Sequence, residues 1–204
     1  VEGSVSAPVL TGTDSNCGIS FPSADTIKFS TGGVERMSIT DSGVTGTGIS
    51  NGKLLQYKVS KKTNTTSTSS QSYSEISSDF RITLTPTASD STIVVTAYLM
   101  VANQNNANTF RLRRNTASDF SGTSSEVIQP DDFAGNDDGV ASVYETGSHI
   151  FTFPVTGYET SGNTTARTYS PFWRVGGGTM YLNRLYNSDS YHGVSTMTVM
   201  EIAA

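Results

Sequence analysis

The sequence predicts an all-β protein, in which a small β-hairpin stem module is followed by a jelly-roll-like antiparallel β-sandwich. Apolar and polar residues alternate in many short runs, and clusters of Gly, Ser and Asn separate these runs. No window sustains the apolar spacing of a helix behind a capping box. Ser and Thr together make up 59 of the 204 residues. Because aromatic residues recur inside the alternating runs, this polar composition indicates a thin sandwich rather than a disordered chain.

The first module spans residues 25 to 50 and contains three short alternating runs. Gly32-Gly33 predicts a two-residue turn, since glycine accepts a positive φ without steric cost, and Asp41-Ser42-Gly43 predicts the next turn. A lone ribbon of this size does not stay folded in water, so its apolar side needs a partner. Identical copies around a symmetry axis are the economical partner, which predicts a homotrimer. The residues of this module that are predicted to contact the other copies in the trimer are Ile27, Phe29, Met37 and Ile39.

The strands lengthen after the turn dipeptide Asn51-Gly52, which places the domain boundary between residues 1–52 and 53–204. The run from Thr92 to Val101 is almost continuously apolar and predicts a central strand buried on both faces. Two further strands are predicted from Arg167 to Val175 and from Ser195 to Ile202.

Residues Thr26 to Ile39 read T-I-K-F-S-T-G-G-x-E-R-M-x-I, and a D-S-G turn follows them. This segment resembles the short β-rich stem or connector of bacteriophage tail-fibre and virion-fibre proteins, especially those of marine and cyanobacterial phages. The stretches T-P-x-x-S-x-S-x-I-x-V, from Thr85, and M-x-V-M-E-I, from Met197, are similar to C-terminal domains of phage structural proteins. The resemblance implies a trimeric stem ahead of a globular tip, and a location on the exterior of a virion.

Net charge, apolar run length and cysteine content argue against several classes of protein. The net charge of −5 argues against sequence-independent nucleic-acid binding, which requires phosphate-neutralising Lys and Arg. No apolar run approaches the roughly 20 residues of a membrane helix, so no membrane insertion is expected. The single cysteine, Cys17, has no partner for an internal disulfide.

The loop P-D-D-F-A-G-N-D-D-G is the acidic segment of the chain. A solvated turn, a divalent-cation site and a pair of catalytic carboxylates are alternative interpretations, because Asp and Asn oxygens suit hard cations and glycan hydrolysis needs two facing carboxylates. No other cofactor is expected, and no nucleophile elbow or phosphate-binding glycine loop is present. The residues of this candidate site are Asp131, Asp132, Asp137 and Asp138.

Aromatic residues concentrate near the end of the chain, among Asn, Asp, Arg and His side chains. Tyr and Trp have an apolar body that stacks on the C–H face of a sugar, and the polar neighbours can bind its hydroxyls. The residues around Tyr186 to His192 are predicted to form a surface loop, whereas core or subunit packing is the alternative for Trp173. The candidate glycan-binding residues are Trp173, Tyr186, Asp189, Tyr191 and His192.

Arg111 and Arg113 share one face of a predicted strand. Pairing with acidic residues of a neighbouring subunit is the favoured interpretation, and binding of an anionic polysaccharide is the alternative. Together these features predict a non-enzymatic virion fibre protein that contacts itself, other virion proteins and host polysaccharide. A purely structural capsid-decoration or head-fibre protein is the alternative, and a glycan-degrading tailspike-type enzyme is a second one.

Overall fold

The computed structural model describes residues 3–47, 53–103, 106–120, 126–128, 141–145 and 149–204. Within these ranges the prediction of an all-β protein is confirmed, and the only helical segment is a 3₁₀ turn at Ser78–Phe80. The chain forms two compact units, one of Val1–Lys53 with Ala203–Ala204 and one of Leu54–Ile202. The predicted turn at Asn51-Gly52 lies outside the described residues.

The first unit is a five-stranded antiparallel meander in which each strand pairs with the next. Gly32 and Gly33 both have positive φ, at 61° and 72°, as the two central residues of a primed hairpin turn require. The predicted Gly-Gly turn is therefore confirmed. The strands are β1 (Leu10–Thr11), β2 (Gly18–Ser20), β3 (Ile27–Thr31), β4 (Val34–Thr40) and β5 (Gly43–Thr45).

One face of this meander is apolar. Ile27 pairs with Ile39, and Phe29 pairs with Met37, so all four side chains lie on the same side, where each is half-buried. Among the described residues, every aliphatic or aromatic side chain of the buried core belongs to the other unit. The meander therefore presents an apolar face without a core of its own.

The second unit contains fourteen strands among the described residues. Two of them, Arg167–Val175 and Ser195–Ile202, have the predicted bounds. The strands are β6 (Leu54–Lys62), β7 (Thr66–Thr68), β8 (Ser74–Glu75), β9 (Ile82–Leu84), β10 (Thr92–Ala102), β11 (Asn106–Asn115), β12 (Glu126–Ile128), β13 (Ala141–Glu145), β14 (Phe151–Thr160), β15 (Arg167–Val175), β16 (Met180–Leu182), β17 (Arg184–Leu185), β18 (Ser188–His192) and β19 (Ser195–Ile202).

Two antiparallel sheets form the jelly-roll-like sandwich. In the first sheet β10 is central, with β14 on one side and β19 followed by β6 on the other, and β16 and β7 continue this second side. In the second sheet β11 pairs with β15, while β12 and β13 pair with β11, and β8 and β9 pair with β15. A further two-stranded sheet is formed by β17 and β18.

The core lies between the two sheets. Ile93, Val95 and Leu99 of β10 are fully buried and belong to one apolar cluster with Phe110 and Trp173 of the second sheet. The alternate residues of β10 are not buried, and Tyr98 is 48 % exposed. The prediction that this strand is buried on both faces is therefore wrong for the single chain. Alternation, and not the apolar content of the run, decides which side chains enter the core.

Candidate functional site

The hairpin of β17 and β18 begins at Asn183, a buried residue in a left-handed conformation with φ of 62°. Its side-chain amide donates to the carbonyl oxygen of Lys62 at 2.7 Å, and its side-chain oxygen accepts from the Ser195 hydroxyl at 2.7 Å. The Ser195 hydroxyl in turn accepts from the N–H of Met100 at 2.9 Å. Both ends of the hairpin are thus anchored to the first sheet through one buried asparagine.

Arg184 organises the hairpin. Its Nη1 lies 2.8 Å from a carboxylate oxygen of Asp189, and its guanidinium carbon lies 4.5 Å from the centroid of the Tyr181 ring. The ring of Tyr181 contacts that of Tyr186 edge to face, with the centroids 5.7 Å apart. The result is a connected row of aromatic and charged groups, and a mixture of this kind suits polar ligands that also have an apolar face.

The outer end of the hairpin is open to solvent. The side chain of Asp189 is 73 % exposed, and Tyr191 is 65 % exposed. The ring of His192 forms a hydrogen bond with the backbone carbonyl of Asp189, so it is held by its own hairpin. Tyr186 is half-buried. The structure therefore brings four of the predicted glycan-binding residues, Tyr186, Asp189, Tyr191 and His192, onto one hairpin.

Most of the expected surface loop is instead strand β18, which pairs with β17 in an irregular register, with Tyr186 and Asn187 as the turn between Leu185 and Ser188. The strand predicted from Thr179 to Tyr186 includes β17, whereas β18 was missed because its residues are mostly polar. Arg184, which holds Asp189, was named among the polar neighbours that could bind sugar hydroxyls but not among the candidate glycan-binding residues.

Trp173 does not belong to this group. It is 2 % exposed and packs in the core between the two sheets. This is the core packing that the sequence predicts as the alternative to glycan binding. A surface ligand cannot stack on this ring without unfolding the sandwich, so the candidate site is described without it.

The two arginines predicted to contact another subunit lie on the outside of the second sheet. Arg111 is only 5 % exposed, and its guanidinium carbon lies 3.8 Å from the centroid of the Tyr73 ring. The guanidinium of Arg113 lies 5.1 Å from the centroid of Phe172. Both side chains are therefore engaged with aromatic rings of their own chain, and Arg111 has little surface left for a second subunit.

The acidic loop with Asp131, Asp132, Asp137 and Asp138 lies outside the described residues. In the described part of the chain, no group of three or more His, Cys, Asp or Glu side chains is arranged to hold a metal ion. Glu75, Glu159 and Glu201 each accept hydrogen bonds from side chains of the same sandwich. These three carboxylates therefore stabilise the sandwich.

Two acidic groups have lowered pKa values. Hydrogen bonds from Ser77 and Lys62 lower the pKa of Asp79. Burial alone would raise the pKa of Glu201, but hydrogen bonds from Ser91, Thr87 and Gln56 outweigh it, and the pKa lies below its ordinary value. Both carboxylates are held in the charged form and are unsuited to act as general acids at neutral pH.

No protein-family model and no curated protein matches this chain. Among solved structures, the Eiger TNF of S. frugiperda is similar over 72 % of this chain and 93 % of its own, with 9 % identity and a TM-score of 0.34. The VP2 subviral particle of infectious bursal disease virus is similar over all of this chain, with 11 % identity and a TM-score of 0.36. This chain covers 56 % of that protein. At these TM-scores the likeness assigns neither a family nor a function.

Within the described ranges there is no helix whose length and apolar character would let it cross a bilayer.

Proposed function

We propose that this chain is a non-enzymatic virion fibre protein, of the tail-fibre or fibre-tip type, that attaches to host cells by binding a surface glycan. The observation that carries the proposal is the anchored hairpin Arg184–His192, which presents an exposed tyrosine beside an exposed carboxylate and a guanidinium. Because the hairpin is fixed to the sandwich through buried Asn183, little ordering entropy is lost on binding.

The chemistry of the hairpin fits a sugar. The Tyr191 ring offers a face for stacking, while Asp189 accepts hydrogen bonds from hydroxyl groups and Arg184 donates them. Each such site is weak on its own. A fibre that carries several copies raises the avidity by roughly two to four orders of magnitude without any new contact, since the later binding events become intramolecular.

The stem module supports the fibre part of the proposal. Its sequence resembles the stems of phage fibres, and its Ile27, Phe29, Met37 and Ile39 form an apolar face without a core behind it. Packing this face against copies of itself would give the homotrimer that the sequence predicts, with other virion proteins as further partners. The location would then be the exterior of the virion.

Binding of the labelled protein to intact candidate host cells tests the proposal, before and after the surface polysaccharide is removed. We expect saturable binding that is lost on removal. Tyr191→Ala and Asp189→Ala should each weaken binding at least tenfold, whereas Tyr191→Phe, which keeps the ring, should retain most of it. Thr164→Ala, at an exposed position in the loop before β15, is the control that should leave binding unchanged.

Two results would overturn parts of the proposal. Absence of binding to every host, with the oligomer intact, would favour a structural capsid-decoration or head-fibre protein. Depolymerisation of the polysaccharide by the wild-type protein would favour a tailspike-type enzyme, and loss of that activity in Asp137→Asn or Asp138→Asn would place it in the acidic loop.

A further inference from the structure

The outer side of the first sheet carries an unusual set of side chains for a surface that faces water. We call this surface the tyrosine face and define it by the outward residues of four adjacent strands. They are Pro154, Thr156, Tyr158 and Thr160 of β14; Thr92, Val94, Thr96 and Tyr98 of β10; Thr196, Thr198, Met200 and Ile202 of β19; and Tyr57, Val59 and Lys61 of β6.

The strand register arranges these residues in cross-strand rows. One row runs from Tyr158 through Val94 and Met200 to Tyr57, so that a tyrosine stands at each edge of the sheet. None of the fifteen residues is buried, and Tyr57, Tyr98 and Tyr158 are 56 %, 48 % and 44 % exposed. An antiparallel sheet with one solvated face normally carries polar and charged residues on that face. Here eight residues are apolar or aromatic, six are threonines, and only Lys61 is charged.

We propose that the tyrosine face is covered by the same face of a second copy of this chain. Its charge pattern argues for this occupant. The whole chain has a net charge of −5, which disfavours association, yet the face contains no carboxylate and one lysine at a corner. Two copies can therefore meet face to face without opposing like charges in the middle of the contact. A partner recognised by its charge would find no complementary pattern there.

The size of the face fits a weak contact between two copies. Four strands spaced about 4.8 Å apart and four rows about 6.8 Å apart give a flat area of about 500 Å². A stable specific interface buries roughly 600 to 1,000 Å² on each partner. The face lies just below this range, which fits a weak two-fold contact that dissociates at micromolar concentration. This inference does not depend on glycan binding.

Two charge variants and a matched control test the proposal by sedimentation velocity over a range of micromolar concentrations. Thr156 on the face and Thr83 on the second sheet are both exposed strand residues with a cross-strand hydroxyl hydrogen bond, to Thr96 at 3.2 Å and to Thr168 at 2.9 Å. We expect Thr156→Glu and Val59→Glu to raise the dissociation midpoint at least tenfold, and Thr83→Glu to leave it unchanged. A wild-type protein that stays one chain at every concentration, or equal behaviour of all three variants, would overturn the proposal.

A second measurement uses the wild-type protein alone. Hydroxyl-radical footprinting at low and high concentration compares Tyr57, Tyr98 and Tyr158 with Tyr191, which is exposed on the hairpin. We expect protection of the three face tyrosines that increases with protein concentration, and no change at Tyr191. Protection at concentrations where the protein sediments as one chain would mean that the chain covers its own face, and protection only when polysaccharide is added would assign the face to a glycan. Either result contradicts the proposal.

Discussion

Glu201 and Ser91 are both fully buried, and the carboxylate of Glu201 accepts a hydrogen bond of 2.7 Å from the Ser91 hydroxyl. The same carboxylate also accepts hydrogen bonds from the N–H and the hydroxyl of Thr87 and from the amide of Gln56. One carboxylate therefore fixes the end of the last strand to the chain that precedes β10.

This arrangement predicts a dependence of stability on acid. The pKa of Glu201 is lower in the folded state than its ordinary value of 4.5, so its contribution is present above pH 4.5 and is lost as the pH falls below it. Glu201→Gln should cost about 2 to 4 kcal/mol near neutral pH, because buried donors lose a charged acceptor. Urea unfolding as a function of pH should show a shallower acid slope in the variant, and an unchanged slope would contradict the assignment.

Two substitutions of Asn183 separate the cost of its left-handed conformation from the cost of losing its hydrogen bonds. Asn183→Ala and Asn183→Gly both remove the side-chain hydrogen bonds. Alanine is strained at a φ of 62°, whereas glycine adopts this φ without steric cost. We expect Ala to be the more destabilising change by about 1 kcal/mol. Chemical unfolding of both variants measures the difference, and equal costs would mean that the left-handed conformation is not required.

Substitutions of Trp173 and Tyr191 should separate the loss of core packing from the loss of glycan binding. Because the ring is buried, Trp173→Ala should lower the free energy of unfolding by about 3 to 5 kcal/mol, and glycan binding per folded molecule should not change. Tyr191→Ala should show the opposite pattern, with a stability change within about 0.5 kcal/mol. Parallel measurement of unfolding and of binding to cells would test both statements, and a folded Trp173→Ala protein with weakened affinity would contradict them.

The Gly-Gly turn of the stem gives a local test. Gly33→Ala forces a Cβ residue into a φ of 72° and should destabilise the hairpin of β3 and β4 by about 1 kcal/mol. Gly12→Ala is the matched control, because a Cβ at Gly12 meets no atom within 4 Å and the residue is not in the left-handed region. Faster amide exchange in β3 and β4 should appear only in the first variant. Similar exchange in both would show that the turn tolerates other conformations.

The sequence predicted those features that depend on local pattern. Three glycines end the strand Arg167–Val175, and Gly193 precedes the strand Ser195–Ile202. Gly32-Gly33 is readable because few residues other than glycine accept two consecutive positive φ angles. The local pattern does not predict which side of a strand is covered by the other sheet. Tyr98 lies in an apolar run and yet faces outward, because the pairing of whole sheets decides which side becomes core.

The candidate site was predictable in composition but not in form. Tyr191 and Asp189 could be recognised as surface residues because Ser, Asn and Gly surround them. Their placement on a hairpin depends on Asn183, whose hydrogen bonds reach Lys62, 121 positions earlier in the chain. No local pattern contains information about a contact of that sequence separation.

The pairing of β6 with β19 has a consequence for synthesis of the protein. Leu54–Lys62 leaves the ribosome long before its strand partner Ser195–Ile202. Until residue 202 emerges, β10 lacks most of one neighbour and the nascent sheet has an open apolar edge. Such long-range closure slows folding and exposes intermediates to aggregation. Expression at lower temperature, or with a chaperone that binds open strands, should therefore raise the yield of native protein.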